Sequence, residues 1–183
     1  MQTQTVKIVV TGPFNAGKTE MIRSVSEIEV VSTEKRVTAE PEKVKNTTTV
    51  AMDFGRITVD NDLVLFLFGT PGQRRFDFMW EILSEGMLGF IVMVDSTRPE
   101  TFREARIILE TFRAYAPTPY IVVANKQDLP EAWSVEDIRL ALRLDASIKL
   151  LPCIATKKSS VKTALLELLY AILEEMETPQ PQP

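Results

Sequence analysis

Apolar residues in this chain gather in short runs that do not strictly alternate with polar ones: Val6–Val10, Leu63–Phe68, Leu88–Val94, Tyr120–Ala124 and Leu150–Ile154. Runs of this length, bounded by turn residues, predict strands buried on both faces of a sheet. Val50–Val59 predicts a further strand, which a turn at Asp60-Asn61-Asp62 joins to Leu63–Phe68 as a hairpin, so one strand runs antiparallel. Between the strands the period becomes helical. Phe102, Ala105, Leu109 and Phe112 fall on one face, with Pro99 near the helix start. Ser134 is placed as an N-cap, with Asp137 in the first turn. Val161, Leu165, Leu168, Leu169, Ile172, Leu173 and Met176 form one stripe along the last helix.

This alternation predicts an α/β fold: a mostly parallel six-stranded sheet with one antiparallel strand and helices on both faces. Ligands of such sheets sit at the carboxyl ends of the strands. Val30–Thr49 has no apolar period and is rich in Glu, Lys and Thr, so it reads as a long mobile loop. Thr178-Pro-Gln-Pro-Gln-Pro183 reads as a disordered tail, which leaves a single domain over residues 1–177.

Composition narrows the chemistry. With 183 residues, 45% of them hydrophobic and 25% charged, the chain can bury a core without disulfides or structural metal. A net charge of −4 argues against nucleic acid as a partner, because backbone contacts want clustered Lys and Arg. There is no histidine, so proton chemistry must run through carboxylates, water or the substrate, and His-based triads and His-ligated metals are excluded. The one cysteine, Cys153, forms no internal bridge, which suits a cytoplasmic protein. The polar start Met1–Thr5, Gln2 in place of a myristoylated glycine, and a tail without a prenylatable cysteine give no membrane anchor in the sequence.

Gly12-Pro13-Phe14-Asn15-Ala16-Gly17-Lys18-Thr19 follows the first apolar run and matches G-x-x-x-x-G-K-S/T in full. Two glycines let the backbone curl so that successive N–H groups converge on phosphate oxygens. Asn15, Ala16, Gly17, Lys18, Thr19 and Glu20 are the candidate phosphate-binding residues. Lys18 reaches the β- and γ-phosphates, and the Thr19 hydroxyl is a Mg²⁺ ligand at a helix N-terminus whose dipole favours the anion. The fold is then that of a P-loop NTPase.

Two further motifs choose the base and the reaction. In Asn125-Lys126-Gln127-Asp128, a carboxylate at Asp128 accepts from both N1–H and the 2-amino group of guanine, a donor pair that adenine lacks. Asn125 reaches the base edge or the neighbouring loop, and the Lys126 stem covers the ring. Ala155-Thr156-Lys157 follows the last strand and offers a backbone N–H to guanine O6. In Gly69-Thr70-Pro71-Gly72-Gln73, a glycine N–H at the strand tip presents to a γ-phosphate, and Gln73 orients the attacking water. Gln73 and Lys18 are the candidate catalytic residues, acting on GTP.

In order and spacing, GPFNAGKT, TTTVAMDF, GTPGQ, NKQD and ATK resemble the Ras superfamily of small GTPases over essentially the whole chain. The resemblance implies a G domain that switches between GTP and GDP with Mg²⁺. It also implies that Thr49, before the strand in TTTVAMDF, senses Mg²⁺ and γ-phosphate. Most members carry Asp-x-x-Gly at the second switch, where this chain has Gly69. Gly-Thr-Pro-Gly there is similar to the prokaryotic MglA-like branch, which implies roadblock-type regulators as partners at the switch regions. Asp53, on the paired strand, is the candidate to replace the missing carboxylate in the metal's water shell. Phe14 stands where Ras-like members have glycine and implies slow intrinsic turnover, while Arg74 and Arg75 read either as exposed charge next to a helix or as an arginine finger in cis. Among Phe76, Phe78, Met79 and Trp80, consecutive helical positions cannot all be core, so one or two are expected as partner contacts. The alternative is a nucleotide-loaded binding module with negligible hydrolysis. An ATPase or nucleotide kinase is disfavoured by Asn125–Asp128.

Overall fold

A computed structural model describes residues 3–37, 48–60, 62–72 and 76–177 of the chain. Its strands are β1 (Gln4–Thr11), β2 (Val31–Val37), β3 (Thr48–Asp60), β4 (Leu63–Gly69), β5 (Gly89–Asp95), β6 (Tyr120–Asn125) and β7 (Leu150–Pro152). The helices are α1 (Lys18–Val25), α2 (Phe78–Ser84), α3 (Phe102–Tyr115), α4 (Val135–Leu142) and α5 (Lys158–Glu177). All strands join one sheet in the order β2-β3-β4-β1-β5-β6-β7. β3 is antiparallel to both neighbours, and the other neighbouring pairs are parallel.

The unbroken apolar runs have a simple cause: both faces of the central strands are covered. Ile8, Val10, Ile91, Met93, Ile121 and Val123 share one core with Met21 and Ile22 of α1 and Leu165 and Leu168 of α5. Their neighbours Val9, Phe90, Val92, Val94, Val122 and Ala124 share the other with Trp80, Phe112 and Ile138 of α2, α3 and α4. The two-residue period of a strand sends alternate side chains into these separate cores. The predicted face of α3 is buried at Phe102, Ala105, Leu109 and Phe112. A 3₁₀ turn at Pro99–Thr101 leads into α3, and the Ser134 Oγ accepts from the Asp137 N–H at 3.1 Å as the N-cap of α4.

The six predicted strands are present, and a seventh joins them at the edge. β2 pairs with β3 from Val31↔Phe54 to Val37↔Thr48, inside the segment read as a loop. A polar edge strand pairs through its backbone and carries no apolar period to reveal it. The rest of that loop, residues 38–47, and the tail 178–183 lie outside the described residues. The α5 stripe is also narrower than its periodicity suggests. Val161, Leu165, Leu168 and Ile172 are buried, but Leu173 and Met176 are 52% and 74% exposed. Leu173 sits about 100° around the helix from Ile172, the last α5 residue buried in that core, so the apolar pattern outruns the contact surface. Among the described residues no helix is long and apolar enough to cross a membrane.

Candidate functional site

The carboxyl ends of β1, β4, β5, β6 and β7 lie at one edge of the sheet, and the singled-out segments follow them. Between β1 and α1 the loop takes positive φ at Gly12 (139°), Asn15 (63°) and Gly17 (103°). Gly17 has a steric as well as a conformational reason: a Cβ there would lie 2.2 Å from Asn125 Nδ2. The Ala16 N–H donates to Pro13 O at 3.2 Å, which closes the turn. Lys18 is buried, and its Nζ donates to Gly12 O at 2.7 Å and Pro13 O at 2.8 Å. Burial pushes its pKa down to about 8, against the opposing pull of Asp53 and Glu104. The site thus holds a cation that gains when an anion arrives. Glu20 forms an exposed pair with Arg23 at 2.9 Å in the first turns of α1.

Beside the loop, the Thr19 hydroxyl donates to Asp53 Oδ2. The register places Asp53 opposite Gly69. A Cβ at Gly69 would lie 3.1 Å from Asp53 Cβ and 3.4 Å from Asp53 Oδ2. The Asp53 side chain therefore fills the space that a side chain at position 69 would need. A hydroxyl and a carboxylate side by side are the oxygen donors a Mg²⁺ site supplies, alongside substrate phosphates and water. Thr49 lies elsewhere: within β3, paired with Arg36, it is about 13 Å along the strand from Asp53 at the usual rise per residue.

The second glycine motif packs onto the loop. Gly72 is buried, and a Cβ there would meet Phe14 N at 2.6 Å, Phe14 Cα at 2.7 Å and Lys18 Nζ at 2.8 Å. Trp80 Nε1 donates to Pro71 O at 3.1 Å, and Thr70 Oγ1 donates to Thr11 Oγ1 at 2.8 Å. Phe14 is 57% exposed, as are Phe78 (53%) and Ile82 (61%) on α2, whereas Phe76 and Trp80 are buried. Gln73, Arg74 and Arg75 lie outside the described residues.

On the other side, buried Asn125 joins three segments. Its Nδ2 donates to Ala16 O at 2.9 Å, and its Oδ1 accepts from the Ala155 N–H at 2.9 Å. That bond occupies the Ala155 N–H, and Thr156 next to it is exposed. Asp128 is exposed, its carboxylate open to a ligand. Lys126 adopts a left-handed φ of 65°, and its Nζ donates to Asp95 Oδ2. Gln127 Nε2 donates to Ser96 Oγ at 2.7 Å and Trp133 O at 2.9 Å. Asp95 was not legible as a site residue, although a carboxylate ending the apolar run Leu88–Val94 was the available signal.

Against known proteins, the model of a family described as conserved hypothetical ATP binding protein matches residues 10–175. An uncharacterized protein of Methanocaldococcus jannaschii is 33% identical over 132 residues, covering 70% of this chain and 75% of its own. ADP-ribosylation factor-like protein 4C of Homo sapiens is 29% identical over 144 residues, 77% of this chain and 70% of its own. ADP-ribosylation factor-related protein 1 of Homo sapiens is 30% identical over 137 residues, 73% of this chain and 65% of its own.

Proposed function

The chain belongs to the family described as conserved hypothetical ATP binding protein, and we propose that within it this chain is a small regulatory GTPase. It binds GTP and GDP, converts GTP and water to GDP and phosphate, and changes its affinity for protein partners between the two states. The observation that carries this reading is Asn125, whose one side chain bonds both the phosphate loop at Ala16 and the base-side loop at Ala155. A nucleotide spanning those loops would meet phosphate donors at one end and Asp128 with the Thr156 N–H at the other.

The phosphates lie against the Asn15–Thr19 backbone, and Lys18 leaves the carbonyls of Gly12 and Pro13 for them. Thr19 and Asp53 are the residues that would hold Mg²⁺, which would supply neutralisation of the phosphate charge. Gln73 orients the attacking water, the Gly72 N–H faces the γ-phosphate, and Thr49 closes on the same group when the β2–β3 hairpin moves. Loss of those contacts on hydrolysis releases both switch segments. The partners are regulators of roadblock type, as in the MglA-like branch, docking where Phe14, Phe78 and Ile82 are exposed. One G domain, residues 1–177, does this in the cytoplasm.

A second reading, an ATP-binding protein, is favoured by the family's description. Single-turnover hydrolysis of GTP and of ATP, with Mg²⁺, by wild type and Gln73→Ala decides between them. Slow GTP turnover that falls in the variant is expected. Equal or faster ATP turnover would refute the guanine assignment, and tight GTP binding without turnover in either protein would leave a nucleotide-loaded binding module.

A further inference from the structure

Asp95 ends β5 with its carboxylate 2% exposed, yet nothing in the phosphate chemistry uses it. Its partners are all on the base side: Oδ1 accepts from the Thr97 N–H at 3.0 Å and Thr97 Oγ1 at 2.7 Å, and Oδ2 accepts from Lys126 Nζ. Burial alone would raise its pKa, but the bonds from Lys126 and Thr97 win and hold the carboxyl below its ordinary range. The Lys126 side chain, by contrast, stays one-third exposed (33%) although its ammonium is tied. Its backbone sits at a left-handed φ of 65° directly after Asn125, the last residue of β6, and its carbonyl accepts from the Leu129 N–H at 3.1 Å.

A lysine stem is four flexible carbons, and holding it straight costs rotamer entropy that a ligand would otherwise have to supply. Here both ends are fixed before any ligand arrives, the Cα by β6 and the Nζ by a buried anion. From this we infer that Asp95 is a positioning residue for the base pocket: it stretches the Lys126 stem into a fixed apolar wall on which the nucleobase stacks. This rests on the nucleotide-binding reading above. The wall is blind to the edge of the base, so Asp95 adds affinity for any purine nucleotide, whereas Asp128 sets which purine is chosen.

The test is a double-mutant cycle on the full chain, reading release of N-methylanthraniloyl-labelled GDP and ADP by fluorescence. Asp95→Asn should release either nucleotide about tenfold faster, the scale of one preorganised side chain. In a Lys126→Met background, Asp95→Asn should add nothing. If the two changes multiply, Asp95 acts through Thr97 and the fold, and the inference is wrong. Should Asp95→Asn fail to fold, Lys126→Met alone still decides: it keeps the stem but loses the tether, so wild-type release from it overturns the inference. A wild-type protein that prefers the adenine analogue refutes the guanine assignment but leaves the cycle intact. Binding of neither analogue overturns both.

Discussion

The pairing of Asp53 with Gly69 makes a reciprocal prediction. Asp53→Ala removes the carboxylate beside Thr19 and near Gly69 while keeping the Asp53 Cβ. Loss of a metal-site partner of this kind costs about 10- to 100-fold in metal affinity. Gly69→Asp alone should be worse tolerated. Its Cβ would sit 3.0 Å from Ile22 Cδ1 and 3.1 Å from Asp53 Cβ, and its carboxylate would meet another. Two like charges about 4 Å apart at an effective dielectric near 20 repel by about 4 kcal/mol. The double variant Asp53→Ala/Gly69→Asp removes the charge repulsion, though not the Cβ contacts, and returns one carboxylate to the same place, so it should recover much of the lost metal affinity. The assay is release of labelled GDP with Mg²⁺ against release with EDTA. Wild type should show a large ratio, each single variant a reduced one, and the double variant a restored one. An Asp53→Ala protein whose Mg²⁺ titration matches wild type would refute the reasoning outright.

Four other outcomes follow from the same geometry. Lys18 titrates near pH 8 in the free protein, and bound phosphates raise that value, so nucleotide binding takes up a proton above pH 8 and affinity should fall by up to about tenfold per pH unit there, as calorimetry in two buffers can read. Folding has the opposite sign: between pH 8 and 10.5 the unfolded chain holds the Lys18 proton and the folded one does not, so the nucleotide-free protein should gain stability with pH, a gain absent in Lys18→Met. Gly72→Ala drives a Cβ to 2.6 Å from Phe14 N, where only backbone movement helps, and should destabilise by about 1–3 kcal/mol in urea unfolding; an unchanged midpoint would mean that this loop does not rest on Phe14. Asn125→Ala leaves the Ala16 carbonyl and the Ala155 N–H without their partner and should cost about 2–4 kcal/mol, with a loss under about 1 kcal/mol contradicting its bridging role.

Much of this protein was legible along the chain because the signals are local. An unbroken apolar run such as Leu88–Val94 states that both faces of its strand are covered, and it is buried throughout as β5. The glycines of the Gly12–Thr19 loop state a backbone that only a turned loop needs, and Gly17 takes it with a φ of 103°. What only the tertiary structure decided depends on pairs distant in sequence. The predicted hairpin puts Asp53 on the strand paired with the Gly69 run, but the close approach of its side chain to position 69 and to Thr19 comes from the β3–β4 register and the packing of α1. Asn125 reaches Ala16 across 109 positions because β6 and β1 deliver their ends to one edge of the sheet. The polar strand β2 and the exposure of Leu173 and Met176 escaped periodicity for the converse reason. Backbone pairing needs no apolar pattern, and an apolar pattern does not guarantee a neighbour to cover it.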